Sequence, residues 1–212
     1  MNKRQSGFTL VEIAIVLVII GLLLGGVLKG QELITQAKIK NVANDLNGMA
    51  AAIYGYQDRY KRFPGDDNGA AARWTSPAAA NGNGDGRVGA AGVKTILNCA
   101  AEAPPENCQF WQHLRLAGFI GGDAASLLSP QNATGGVLQV QDGALGLSGL
   151  VVCSTNLSGK IANAIDAQFD DGKPGTGQVR GTDKPDAIDT ALGTDVGYKD
   201  DGSTVYVVCK PF

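Results

Sequence analysis

From Phe8 to Leu28 the chain runs through 21 residues broken by only two polar side chains, Thr9 and Glu12. As a helix this stretch is roughly 31 Å long, which matches the about 30 Å hydrocarbon thickness of a bilayer. Lys3 and Arg4 precede it and Lys29 follows it, so charges bracket a span whose amino end stays on the cytoplasmic side. A secretory signal would have an apolar region of about 7–15 residues ending at a small-x-small cleavage site. This run is longer and passes through Gly25-Gly26-Val27-Leu28 without such a site. A plain signal anchor leaves Glu12 unexplained, because an ionisable side chain costs up to about 2.5–3.5 kcal/mol at mid-membrane.

The hexapeptide Gly7-Phe8-Thr9-Leu10-Val11-Glu12 behind a short basic leader resembles the cleavage and methylation motif of type IV prepilins and type II secretion pseudopilins. The resemblance implies that prepilin peptidase cuts between Gly7 and Phe8 and methylates the new amino terminus at Phe8. It also implies an assembly role for Glu12, paired with the amino terminus of a neighbouring subunit. A carboxylate and an ammonium in apolar surroundings are each unfavourable alone and tolerable together. The partners implied are the peptidase, other pilin or pseudopilin subunits, an inner-membrane assembly platform and the lipid bilayer. Tyr60-Lys61-Arg62-Phe63-Pro64 resembles the turn that ends the long helix of pseudopilins. Proline is common at the twenty-second mature position of filament-forming pilins, where this chain has Lys29.

Beyond the span, Ile39, Val42, Leu46, Met49, Ile53, Tyr56 and Tyr60 recur at three- and four-residue steps. That spacing predicts a helix laying one stripe against a sheet, with Pro64-Gly65 as its stop. Residues 64 to 108 are rich in alanine and glycine and read as a long loop region. Phe110, Leu114 and Ala117 predict a short helix ended by Gly118, and Ile161, Ile165 and Phe169 another, closed by Asp170-Asp171-Gly172. Val137–Val140, Leu145–Cys153 and Thr204–Cys209 read as strands. Lys173 to Asp201 reads as surface loop. The expected fold is α+β and pilin-like: a long amino-terminal helix, membrane-spanning in its first half, packed on a small antiparallel sheet with long loops. The order is a leader over residues 1–7, a transmembrane helix over 8–28, its amphipathic continuation over 29–63 and a globular domain over 64–212.

Cys99, Cys108, Cys153 and Cys209 allow three pairings in an oxidising compartment, of which 99–108 with 153–209 is the simplest. Asn81-Gly82-Asn83-Gly84-Asp85-Gly86 resembles the front half of a calcium loop, placing oxygens of Asn81, Asn83 and Asp85 at alternate positions. The first position lacks its Asp and the twelfth, Gly92, lacks the bidentate Glu; the alternative is a glycine-rich turn with no ion. Asp66-Asp67 and Asp170-Asp171 are expected as solvated turns, either pair able to supply a missing carboxylate. His113, the single histidine, is expected as a packed or surface residue rather than a base.

Eighteen basic and twenty acidic side chains give a net charge of −2, so no nucleic-acid partner is expected. No catalytic constellation is visible, and the chain reads as a structural subunit rather than an enzyme. Its expected place is a bacterial inner membrane, crossed once with the globular domain in the periplasm, and then a pilus or pseudopilus filament. The alternative is a periplasmic binding protein or enzyme that keeps its anchor.

Overall fold

The computed structural model describes residues 9–89, 99, 104–184, 188 and 191–212. The chain divides into two units, Met1–Lys38 and Ile39–Phe212, and helix α1, Leu10–Tyr60, supplies residues to both.

In the first unit no described residue is buried, and Leu10, Leu17, Leu22 and Leu28 are among the aliphatic side chains that project all round the helix. A soluble helix hides one apolar face; one that is apolar on every side is made for lipid or for other helices. Helical pairing also satisfies every backbone group internally, as hydrocarbon requires. This segment is long and apolar enough to cross a membrane.

In the second unit the stripe predicted from spacing is the buried face of α1. Val42, Leu46, Met49, Ile53 and Tyr56 are all within 3% of full burial, and Ile39 and Tyr60 pack at its ends. The helix ends at Tyr60 rather than running to residue 63. Lys61 takes a left-handed φ of 56° and its N–H donates to Gln57 O at 2.8 Å, so the cap forms before Pro64 is reached.

Four antiparallel strands, β1 (Leu138–Ala144), β2 (Leu147–Ser158), β3 (Arg180–Thr182) and β4 (Val205–Pro211), form one sheet in the order β1-β2-β4-β3. Leu150, Val152, Tyr206 and Val208 face the stripe of α1. Val151, Cys153, Val207 and Cys209 face a second core cluster with Leu145 and Ile188. Both faces are therefore covered, which is why β2 reads as an unbroken apolar run rather than an alternation. Leu145 does not open β2 as expected. With φ values of 52° and 76°, Leu145 and Gly146 make the two-residue turn between β1 and β2.

Two stretches read as loop carry more structure. Residues 64 to 108 contain the short helix α2 (Ala70–Arg73) and the start of α3 (Glu106–Leu116). Lys173 to Asp201 contains β3, and Ile188 and Ala191 within it pack on the second face of the sheet. Helix α4 (Gly159–Phe169) follows β2 directly. The outer edges of the sheet are occupied. On β1, Leu138 N–H donates to Pro130 O and Asp142 N–H to Val88 O, both at 2.9 Å. On β3, Gly181 N–H donates to Pro174 O at 2.8 Å and Gly181 O accepts from Leu192 N–H at 2.9 Å.

Candidate functional site

Gly7 and Phe8 lie outside the described residues. Two residues on, Thr9 N–H and Thr9 Oγ1–H both donate to Glu12 Oε2 at 2.8 Å, and Glu12 N–H donates back to Thr9 Oγ1 at 3.3 Å. This reciprocal pair is a capping box, with Thr9 just before the first helical residue and Glu12 three positions on. Glu12 is thus the acidic residue in the first turn of α1, where the helix dipole favours a negative charge. Its nearest described cation along the chain, Lys29, is already paired with Glu32 at 2.8 Å.

The glycine-rich loop is held in an unexpected way. Asp66 and Asp67, expected as a solvated turn, are 2% and 1% exposed. Asp66 Oδ1 accepts the N–H groups of Gly84 at 2.6 Å and Asp85 at 3.0 Å, and Oδ2 accepts that of Gly86 at 2.8 Å. Glu106, at the start of α3, accepts Asn83 N–H at 2.8 Å and Gly89 N–H at 3.1 Å. The loop therefore turns five amide donors toward Asp66 and Glu106. Asn81 Oδ1 faces away and accepts Ala71 N–H at 2.8 Å, while Asn83 and Asp85 bond each other. Oxygens of Asp66, Asp85 and Glu106 lie within 4.8 Å of one another. The geometry demands glycine at 82, where a Cβ would sit 2.2 Å from Gly65 O.

Asp67 ties the same region to α1. Its carboxylate accepts Tyr56 O–H at 2.7 Å, Arg73 Nη1–H at 2.6 Å and Gly69 N–H at 2.8 Å. Burial would raise this carboxyl, but bonds from Arg73, Tyr56 and Gly69 hold it below its ordinary range. Burial, then the bond to Asp67, pushes the Tyr56 phenol up. His113 is fully buried. Its Nδ1 accepts Gly65 N–H at 2.9 Å, which leaves Nε2 as the donor to Ala80 O at 3.0 Å and fixes a neutral ring. Burial pushes the imidazole below its ordinary range, outweighing the bond to Ala80 O that favours the charged form.

Residues 2–28 match the family described as the prokaryotic N-terminal methylation motif. No curated protein matches the chain. The match supports a prepilin-type amino terminus over those residues. The long apolar helix and the four-stranded antiparallel sheet are consistent with the α+β, pilin-like fold expected from the sequence.

The four cysteines form two disulfides. Cys99 bonds Cys108 across 9 positions, and Cys153 bonds Cys209 across 56, with their Cα atoms 4.0 Å apart. Cys153 and Cys209 are directly opposed on β2 and β4, so the ladder register brings them together. Among the acidic pairs, Asp170 and Asp171 are exposed, as expected, but they join a buried third carboxylate. Asp166, on α4, accepts Tyr198 O–H at 2.7 Å and Gly172 N–H at 2.9 Å, pinning the following loop. Sequence reasoning passed over Asp166 and Glu106, and placed Asp67 in solvent where the structure buries it. Asp166 stands between Ile165 and Ala167 and Glu106 between Pro105 and Asn107, contexts that carry no local signal of a structural carboxylate.

Proposed function

We propose that the chain is a structural filament subunit of a type IV pilus or type II secretion pseudopilus. Prepilin peptidase cuts between Gly7 and Phe8 and methylates Phe8, and the subunit waits in the inner membrane with its globular unit in the periplasm. The observation that carries this reading is the methylation-motif match over residues 2–28, joined to a helix exposed on every side through its apolar first half. On assembly the apolar helices exchange lipid for one another. Glu12 then needs a cation, and the methylated Phe8 amine of an adjacent subunit supplies it.

Mass spectrometry of the mature amino terminus tests this directly. A chain that begins at methylated Phe8 is the expected product. A full-length chain recovered from membranes that contain active prepilin peptidase would refute the reading.

A further inference from the structure

Four asparagines in this chain precede glycine: Asn47, Asn68, Asn81 and Asn83. Asparaginyl-glycine is the dipeptide most prone to deamidation, because glycine places no side chain in the path of its own backbone nitrogen. That nitrogen loses its proton and bonds to the asparagine Cγ, and the Cγ–NH2 bond breaks with release of ammonia. Water then opens the resulting succinimide to aspartate or isoaspartate. The reaction needs a free glycine N–H and a side chain able to swing back onto it.

Three of these pairs cluster around Asp66 and Asp67, and in each the glycine N–H is already donated. Gly69 N–H goes to Asp67 Oδ1 at 2.8 Å, Gly82 N–H to Asp67 O at 3.1 Å and Gly84 N–H to Asp66 Oδ1 at 2.6 Å. A carboxylate is far too weak a base to take an amide proton, so these bonds hold the hydrogen in place. Two of the side chains are also anchored away from the attack path. Asn81 Oδ1 accepts from Ala71 N–H, and Asn83 bonds Asp85 through both ends of its amide. Asn68 is exposed and has no such anchor among the described residues. Asn47-Gly48 sits apart, within the hydrogen-bonded ladder of α1.

We propose that Asp66 and Asp67 shield the three surface asparaginyl-glycine bonds from deamidation, with Asn68 the first site to be lost. The shielding works through local stability: conversion requires the loop to open, so its rate is the unstructured rate multiplied by the open fraction. Removing the Asp66 carboxylate frees Gly84 N–H while leaving Gly82 N–H on a backbone carbonyl. Asn83 then becomes the vulnerable site. Each conversion adds a negative charge next to two buried carboxylates, and so loosens the loop further.

The test is peptide mapping of the full chain in detergent, incubated at mildly alkaline pH, for wild type, Asp66→Ala and the urea-unfolded protein. Wild type is expected to convert at least about 100-fold more slowly than unfolded chain at Asn81 and Asn83, and fastest at Asn68 among the three. Asp66→Ala is expected to raise conversion at Asn83 by about tenfold or more with Asn47 unchanged. Asn47 is the internal control, since loss of the whole fold would expose it as well; in that event Asp66→Leu, similar in shape and without an acceptor, repeats the comparison. Folded wild type converting at the unfolded rate, or Asn83 staying intact in a folded Asp66 variant, overturns the proposal.

Discussion

Glu12 has a local role in the cap and a proposed one in assembly, and the two separate by substitution. Locally it completes the capping box with Thr9, so Glu12→Gln keeps an acceptor for Thr9 N–H while removing the charge. Glu12→Ala and Glu12→Gln are both expected to insert and to be cleaved, and both to fail to enter filaments beside wild-type subunits. Incorporation of the glutamine variant at wild-type level would assign Glu12 to capping alone. His113 gives the sharpest pH dependence. Its folded pKa lies below the unfolded value, so the unfolded chain binds the proton more readily. Its stability contribution is fully present above about pH 6.5 and is lost as pH falls through and below that value. His113→Gln retains an acceptor for Gly65 N–H and a donor for Ala80 O. Urea midpoints measured from pH 8 to pH 5 are expected to fall for wild type and to stay flatter for the variant. Asp67 acts in the same direction at lower pH, below the ordinary carboxylate range. Calcium is expected to leave the melting temperature unchanged, because five amide N–H groups already point at Asp66 and Glu106 and oppose a cation there. A rise on adding calcium that disappears in Asp85→Asn would show that the cluster takes the ion after all.

At the scale of elements, the two disulfides differ in the length of chain they close. Loop-closure arithmetic gives about 4 kcal/mol for the 56-position separation and about 2.7 kcal/mol for the 9-position one. Replacing Cys153 and Cys209 together by alanine is therefore expected to lower unfolding free energy more than the same change at Cys99 and Cys108, as read from denaturant midpoints. Helix α1 and strands β1, β2 and β4 were legible in the sequence because an apolar face repeats at helical spacing or runs unbroken between turn residues. Strand β3 was not. Arg180-Gly181-Thr182 has no apolar pattern, and it is a strand only because β4 offers it a partner. The glycine-rich loop was legible as a loop, but not the carboxylates that its backbone amides bond to. Alternating Asn and Asp suggest oxygens converging on a cation, while the carboxylates that accept the loop's amides lie at Asp66, in the turn after α1, and at Glu106, at the start of α3. The sequence offers Asp66 as a carboxylate for this loop, but nothing near residues 81–86 announces Glu106. Gly82→Ala tests how closely that loop is seated; forcing a methyl against Gly65 O is expected to cost about 1–3 kcal/mol.

For the whole molecule, the processing step is the first to check. Gly7→Val is expected to leave an uncleaved precursor in the membrane, seen as a slower band and by the intact leader mass. A mature chain starting at Phe8 from that variant would set aside the prepilin reading. The covered edges of the sheet have a further consequence. An open strand edge is a template on which any identical molecule can template the next, and crowding makes that growth easier. Here Pro130, Val88, Pro174 and Leu192 bond to the outer strands from within the same chain. Many copies can then be stored side by side without their sheets fusing into amyloid, and under the proposed function ordered polymerisation falls to the first half of α1, which among the described residues is apolar and exposed on every side.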